Sequence, residues 1–441
     1  MTLFREFAVA CALGLLSHAA LAGIPIQHWT QATGARVFLV ESDAIPMLDV
    51  QLDFDAGSRR DPAEQAGLAD VTALMMSKGL GSGSSGMDES ALSDAWADLG
   101  GSLRVNAGPD RFSVSLRTLT IPDLLGAAVA LAARQIAEPT FAAAVWLRER
   151  ERLVAAIQEA NTRPATVAAR AYSQAVYGNH PYGYDSQPMH LQRIAVRDMQ
   201  DFHRRALVPC QARVTLVGAI RREQADALVR QLLAGLPASV PCPTLSAVAE
   251  VPALAEGHQQ RLPMVSAQTH VLMGQPGFKR VDPDYFALVV GNYILGGGGF
   301  VSRLTDEIRQ KRGLSYSVSS TFASGLHAGA FTVSLQTRPD QAAQAMQLAH
   351  EVVTEFVREG PTEAELAATK SNLVGGFALR LDSNRKLLDN VANMAWYGLP
   401  LDYLETWTRQ VEQLTTPAVR EAFQRHLKPD NFVTVLVGPS D

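Results

Sequence analysis

The sequence predicts a mixed α+β protein made of two homologous domains, each a mostly antiparallel sheet with helices packed on one face. Three observations lead to this fold class. Short stretches of sequence occur twice at nearly one offset, apolar residues alternate in several short runs, and they recur at helical spacing in longer ones. A chain of 441 residues is also too long for a single compact core.

The internal repeat is the most informative of these observations. Phe112–Leu116 (FSVSL) returns 219 residues later as Phe331–Leu335 (FTVSL), and Val217–Gly218 returns 220 residues later as Val437–Gly438. The Pro-Thr pair at 139–140 returns at 361–362. A period of this length indicates two homologous domains rather than the short repeats of a solenoid.

Each half has the same predicted order: strands, a long helical region, an alternating strand, further helices and a closing strand. A stretch with four prolines and little periodicity separates the halves and is predicted to be a linker. The predicted ranges are 23–235 and 262–441 for the domains, 236–261 for the linker, 112–116 and 331–335 for the alternating strands, 213–217 and 432–437 for the closing strands, and 124–136 and 342–357 for the long helices.

The first 22 residues are predicted to be a cleaved export signal. Arg5 provides the positive end, Phe7 to Leu16 the short apolar core, and Ala20-Leu21-Ala22 a small-x-small cleavage site. No later segment has 18 continuous apolar residues, so we predict a periplasmic protein without a membrane span. A net charge of −5 with no basic block argues against nucleic-acid binding.

The mature chain contains two cysteines, Cys210 and Cys242. In an oxidising compartment they could form a disulfide. The sequence gives no distance between them, so two separate thiols is an equally open alternative.

The stretch from Glu307 to Val318 (EIRQKRGLSYSV) changes character halfway. Ile308 and its neighbours follow a helical period, Gly313 is predicted to end the helix, and Leu314 to Val318 alternates like a strand. Arg309 and Tyr316 therefore stand seven residues apart across a helix-to-strand turn, which could bring a guanidinium and a phenol to one patch. The alternative is an exposed helix arginine and a strand tyrosine packed on a sheet.

Common catalytic motifs are absent from the mature sequence. The closest histidines, His180 and His190, are ten residues apart, whereas a helical zinc pair needs them within one turn. There is no C-x-x-C pair, no G-x-S-x-G elbow, and no Lys-Ser/Thr after the glycine-rich runs 79–86 and 296–299, which are predicted to be flexible turns. The residues alone do not provide a complete hydrolase site.

At this point the sequence resembles the pitrilysin/insulinase metallopeptidases, the inverted-zincin family, which includes mitochondrial processing peptidase. The resemblance rests on FDAGSRRDPAEQAGLAD (54–70), NHPYG (179–183), ILGGGGFVSRLTDEIRQKRGLSYSV (294–318) and the two Val-Gly strand ends. It covers nearly the whole mature chain. The resemblance implies the duplicated α+β domain pair and a clamshell-type assembly of two such chains.

The sequence departs from the family where zinc would bind. Catalytic members carry H-x-x-E-H after a G-L-A segment, but here Asp70 and Leu74 occupy the two ligand positions and Ala73 the general-base position. The third ligand position falls on Ala156. The zinc motif is therefore predicted to be degenerate, with no metal and no cofactor in this chain, because one carboxylate cannot hold zinc alone.

By contrast, Arg309 and Tyr316 match the family's Arg/Tyr pair with its spacing intact. In the family this pair binds substrate and stabilises the oxyanion at a zinc site. The resemblance therefore implies a catalytically incomplete subunit of a metalloendopeptidase. It would pair with a homologous chain that carries H-x-x-E-H and zinc, and would act on peptides or unfolded segments.

Two alternatives are left open by the sequence. The same fold serves as a structural part of respiratory complexes, so a non-catalytic peptide-binding or assembly protein is the second hypothesis. An enzyme with a new site among Asp53, Asp55, Asp70 and Asp110 is the third, although nothing in the sequence indicates that these carboxylates converge. His180, in NHPYG, is predicted to serve a turn rather than a metal.

Overall fold

Two sheets form the centre of the computed structural model, which describes residues 24–238 and 241–439. The first half contains strands β1 to β8 and helices α1 to α8. The strands are β1 Gln27–Thr30, β2 Arg36–Glu41, β3 Met47–Phe54, β4 Gly79–Leu80, β5 Met87–Asp88, β6 Ser102–Ala107, β7 Phe112–Leu119 and β8 Arg213–Gly218. The helices are α1 Leu68–Met75, α2 Glu89–Asp98, α3 Pro122–Ala137, α4 Ala143–Ala160, α5 Pro164–Tyr177, α6 Pro188–Arg193, α7 Val196–Ala206 and α8 Arg222–Leu233.

The second half repeats this plan with fewer strands. Its strands are β9 His258–Pro263, β10 Thr269–Pro276, β11 Ser317–Phe322, β12 Ala330–Thr337 and β13 Val433–Gly438. Its helices are α9 Tyr285–Asn292, α10 Ala342–Glu359, α11 Glu363–Gly375, α12 Asn384–Tyr397, α13 Tyr403–Glu412 and α14 Thr416–His426. Several helices begin 220 residues after their counterparts, as α10 does after α3 and α12 after α5, so the offset read from sequence is also the offset of the structure.

The two sheets share one topology. The strand order β6-β7-β3-β8-β2 of the first sheet corresponds to β11-β12-β10-β13-β9 of the second, and the first adds β1 at its edge. Pairing is antiparallel except for one parallel pair in each sheet, β2 with β8 and β13 with β9. The α+β fold class with an internal duplication is confirmed.

Each sheet is covered on both faces, and a helix of the opposite half provides the second cover. In β2, Val37 and Leu39 face the helices of their own half, whereas Phe38 and Val40 pack with α12. In β13, Leu436 faces its own half, and the alternate apolar residues pack with α5. The sequence predicted helices on one face only, because a strand buried on both sides shows which residues are apolar but not what covers them.

Strand β9 begins at His258, inside the stretch predicted to be a linker. It is an edge strand with alternate residues exposed, so its few apolar residues give no periodic signal. The long helices and alternating strands predicted from sequence are all present, with ends extended by a few residues.

Cys210 and Cys242 form a disulfide, with Cα atoms 6.0 Å apart. It ties the start of the connecting segment to the turn before β8, and so decides the question that the sequence left open. The predicted export signal lies outside the described residues. No helix in 24–238 or 241–439 combines the length and apolarity needed to cross a bilayer.

Candidate functional site

Two π-helical segments carry the candidate site in the second half. Tyr293–Gly297 continues directly from α9, and Thr305–Gln310 follows a short turn. Their winding is visible in i→i+5 bonds such as Gly298 N–H to the Tyr293 carbonyl, at 2.8 Å. Single π turns of this kind are rare and often occur at functional sites. For the second segment the sequence predicted a regular helix, since one wide turn leaves no distinct apolar period.

Gly313 ends the second π-helix, as predicted. Its φ is 61°, in the left-handed region that favours glycine, and the next N–H, of Leu314, donates to the Ile308 carbonyl at 2.9 Å. The strand predicted from Leu314 begins only at Ser317. The delay has a local cause, because the Leu314 side chain is buried and its carbonyl accepts from the Thr337 hydroxyl at 2.5 Å. Tyr316 thus lies just before β11 rather than inside it.

Arg309 and Tyr316 do meet across this turn. The guanidinium carbon of Arg309 lies 4.6 Å from the centre of the Tyr316 ring and 4.7 Å from the centre of the Phe300 ring. It is therefore held between two aromatic faces, an arrangement that contributes about 0.5–1 kcal/mol at exposed sites. Tyr316 is 78% exposed and Phe300 is 66% exposed. Sequence reasoning missed Phe300, although an apolar pair directly after a glycine run was a signal.

A cavity of about 340 Å³ opens beside this pair. It is bounded by Phe300, Thr305, Arg309, Tyr316, the glycine turn and strand β11, all from the second half. Strand β11 is an edge of its sheet, so one row of its backbone groups lacks a neighbouring strand. Among the described residues, neither the Arg309 guanidinium nor the Tyr316 hydroxyl has a hydrogen bond or ion pair with protein. Both groups are thus available as donors to a ligand.

The glycine turn is a packed element and not only the flexible turn that the sequence predicted. A Cβ atom on Gly296 would lie 2.4 Å from the Ser320 hydroxyl and 2.5 Å from the Ser320 amide nitrogen. Glycine is thus required where the first π-helix crosses β11. The other glycine run, 79–86, forms the turn of the small β4–β5 hairpin, as expected.

The cations around the pair are engaged elsewhere. Arg303 forms two hydrogen bonds of 2.7 Å to Glu365 on α11, and Arg312 binds Glu307 at 2.5 Å. Burial would raise the pKa of Glu365, but the hydrogen bonds from Arg303 and Thr362 outweigh it and hold this pKa down to about 2. These arginines are scaffold residues, which leaves Arg309 as the arginine that lines the cavity.

The degenerate zinc positions lie on α1 and α4 of the first half. Ala73 is buried, Leu74 is half-buried, and Ala156 is exposed on α4. Asp70 reaches solvent, but the protein around its carboxyl desolvates it and raises its pKa. One carboxylate and two hydrocarbon side chains do not fit zinc, which takes nitrogen, sulfur or oxygen ligands from three or four residues.

Helix α1 is instead built as part of the core. Most of its side chains are buried, and its start is fixed by Asp61, whose carboxylate accepts the Gly67 and Ala69 N–H groups at 2.9 and 3.1 Å. Burial raises the pKa of Asp61 to about 7. Helix α1 thus serves as a core helix, with six of its eight residues buried. Within the described ranges, a single group of three potential metal ligands exists, Asp282, Asp284 and His426, but Arg425 already binds Asp284 through two bonds of 2.8 Å.

The carboxylates of the third hypothesis converge only in part. Asp55 and Asp110 both bind the buried Arg59, whereas Asp53 is held in β3 by Ser113 and by Gln51, at 2.9–3.0 Å from the latter. The first two form a structural ion pair with one arginine and leave no free acid–base couple. His180 also has the turn role that was predicted. Its Nδ1 accepts the Tyr182 N–H at 3.1 Å and its Nε2 lies 2.9 Å from the Ala249 carbonyl.

Two family models match the chain. The model described as insulinase (peptidase family M16) matches residues 36–186, and the model described as peptidase M16 inactive domain matches residues 193–373. Together they span most of both halves.

Individual proteins give the same result. A solved structure from Pseudomonas fluorescens, described as a peptidase M16 inactive domain, is 34% identical, with a TM-score of 0.88 and coverage of 95% of this chain and 98% of that one. An uncharacterized zinc protease of Mycobacterium tuberculosis is 30% identical over 305 residues, 66% of the length of each protein. A Helicobacter pylori protein described as a non-peptidase homologue is 30% identical over 173 residues, 38% of this chain and 39% of that protein.

The residues at the zinc-ligand positions and the matched family models lead to the same conclusion. This chain has the duplicated fold of the family without the ligands for zinc. The chain belongs to the M16 (insulinase) family of peptidases, as a member without the zinc-binding motif.

Proposed function

We propose that this chain is the catalytically incomplete subunit of a zinc-dependent metalloendopeptidase complex. A homologous partner with H-x-x-E-H would supply the zinc and the general base. This chain would supply Arg309 and Tyr316. The observation that carries the proposal is their geometry: two donors, without protein partners among the described residues, face one cavity in a chain whose own ligand positions are hydrocarbon.

The chemistry assigns a different task to each donor. The Tyr316 hydroxyl would donate a hydrogen bond to the peptide carbonyl oxygen as negative charge develops on it. Arg309, held in place by the Phe300 and Tyr316 rings, would bind a neighbouring substrate carbonyl. Both residues come from the second half and share no cavity lining with α1, which is consistent with action on a site in another chain.

The substrate would be a peptide or an unfolded segment. Two such chains closing as a clamshell admit only a flexible chain to the chamber between them, and recognition would rest on main-chain pairing with a strand edge of the partner. The predicted export signal puts this activity in the periplasm.

The first test is to purify the tagged mature chain from its native source. The proposal expects a homologue with H-x-x-E-H and about one zinc ion per pair of chains. A chain that is recovered alone, metal-free and inert would overturn it and favour the second candidate, a peptide-binding or assembly protein. That candidate has the non-peptidase description of the Helicobacter pylori relative in its favour.

The second test is Tyr316→Phe in the assembled complex. Losing one oxyanion donor typically costs about 10²–10³ in kcat, and assembly should be unaffected because Tyr316 is exposed. Tyr293→Phe is the matched control, since the Tyr293 hydroxyl binds Asn372 in its own chain at 2.9 Å. If Tyr316→Phe turned over substrate as fast as the Tyr293→Phe control, the proposed role of Tyr316 would be refuted.

A further inference from the structure

A second cavity lies where the crossing helix α12 meets helices α9 and α13. Its volume is about 340 Å³, within the range of small-molecule sites, and its lining comes entirely from the second half. Its lining includes six aromatic residues and two arginines and contains no acidic residue. The residues that the argument uses are Arg280, Arg380, Phe286, Tyr397, Tyr403 and Trp407. We call it the Arg280 cavity.

The two arginines have aromatic neighbours instead of acidic ones. The guanidinium carbon of Arg280 lies 3.7 Å from the centre of the Tyr285 ring, and its Nη2 donates to the Tyr403 hydroxyl at 2.7 Å. Arg380 lies over the Trp407 ring at 5.3 Å and is exposed, so the cavity can be reached from solvent at that end. Within the part of the chain that the structure describes, no carboxylate lies within 4 Å of either guanidinium. Neither arginine of the cavity is therefore held in an ion pair with these residues.

The rings that lie beside these arginines form a continuous set. Phe377 stacks on Trp407 with ring centres 4.7 Å apart, and Phe286 contacts the same Trp407 at 6.2 Å. Burial raises the pKa of Tyr397, whose hydroxyl has no hydrogen bond with the described residues and stays a neutral donor. The cavity thus combines aromatic side chains with hydroxyl donors and two guanidinium groups.

The first half provides an internal comparison, because it has a cavity of about 370 Å³ beside the corresponding helix α5. There Arg170, which corresponds to Asn390 of α12 at the offset of 220, is paired with Asp185 at 2.7 Å. Small residues such as Ala63, Ala66 and Ala171 line much of that cavity. Aromatic rings and unpaired arginines are therefore not needed to close the fold at this place.

We propose that the Arg280 cavity binds a small organic acid, with an aromatic or branched apolar body against the rings and its carboxylate at Arg280 and Arg380. A free acid and the C-terminal residue of a peptide present this same chemistry. The donors suit an anion, because a guanidinium binds a carboxylate through two parallel bonds. The inference does not depend on the peptidase complex, since binding is a property of this chain alone.

The test uses the full mature chain and two probes that differ only in charge, N-acetyl-L-phenylalanine and its amide. Calorimetry gives the affinity, and Trp407 in the wall gives a fluorescence signal. We expect the acid to bind at least tenfold more tightly than the amide. Equal affinities, or no binding of the acid up to its solubility limit, would overturn the proposal. A tetrapeptide ending in phenylalanine then separates the sources: binding shows that a peptide C-terminus is admitted, and its exclusion restricts the site to free acids.

Substitutions locate the binding site. Arg380→Gln should lower the affinity for the acid about ten- to a hundredfold, which is the loss typical of a hydrogen bond to a charged group. The exposed position of Arg380 protects this variant from misfolding, which is the risk for Arg280→Gln. Arg409→Gln on α13, an exposed arginine outside the cavity lining, is the matched control. An unchanged affinity in Arg380→Gln would show that the acid binds elsewhere.

Discussion

Asp110 should be among the most costly polar residues to remove, because it joins three segments of the chain. It lies in the turn between β6 and β7 and is 7% exposed. Its carboxylate accepts the Arg59 Nε–H at 2.9 Å, the Tyr182 hydroxyl at 2.6 Å and the Leu326 N–H at 2.9 Å. The last of these bonds crosses from the first half to the second.

The expected cost of Asp110→Ala follows from what stays buried. Arg59 is 4% exposed and keeps one partner, Asp55. The Tyr182 hydroxyl loses its acceptor and still accepts the His327 N–H, whereas the Leu326 N–H loses its acceptor. Breaking a buried ion pair by removing one partner costs about 3–5 kcal/mol. Because Asp55 still compensates Arg59, we expect about 3 kcal/mol, the lower end of that range.

Urea unfolding followed by tryptophan fluorescence, together with calorimetric Tm, measures this change. The matched control is Asp340→Ala, whose ion pair with Arg338 is on the surface and should contribute nothing measurable. A double-mutant cycle with Tyr182→Phe measures the coupling energy between Asp110 and Tyr182. We expect about 1–3 kcal/mol, as for a hydrogen bond to a charged group. A loss in Asp110→Ala no larger than in the control would refute the claim that this carboxylate joins the halves.

Two further predictions concern stability. Removing the disulfide with Cys210→Ala should lower the unfolding free energy by roughly 3–4 kcal/mol, the value for a loop of 32 residues. The reduced wild type should show the same loss. A difference between the two proteins would point to a packing effect instead. Burial lowers the pKa of His180, so the folded state binds fewer protons than the unfolded state and stability should fall as the pH drops from 7 to 5. In His180→Gln this fall should be smaller, as measured by urea titrations at both pH values, with exposed His258→Gln as the control. Asp61, whose raised pKa acts in the opposite direction, is present in all of these proteins and cancels in the comparison.

Much of the fold could be predicted because the sequence contains an internal repeat. The repeated FSVSL and FTVSL stretches gave the duplication, and the helical period gave α3 and α10 within a few residues of their ends. The degenerate motif was equally accessible, since a side chain without a donor atom cannot bind zinc in any fold. Gly313 was predictable as a helix end because glycine readily adopts the left-handed conformation that ends a helix, and its φ is indeed 61°.

The surroundings of the candidate pair could not be predicted in the same way. Phe300 lies nine residues before Arg309, and only the packed glycine turn brings its ring to the guanidinium. The disulfide was undecidable for a similar reason, because pairing depends on a Cα distance that residue spacing does not fix.

The sequence by itself determined the two α+β halves, the missing zinc ligands and the spacing of Arg309 and Tyr316, because these are properties of residue type and local period. The tertiary structure alone decided which helix covers which sheet, and so created the interface between the halves. It placed α5 and α12 on the sheets of the opposite half, closed the Asp110 network and formed the Arg280 cavity. Each of these features depends on contacts between residues far apart in the chain. An apolar residue in the sequence indicates that its side chain will be buried, but not which element will cover it.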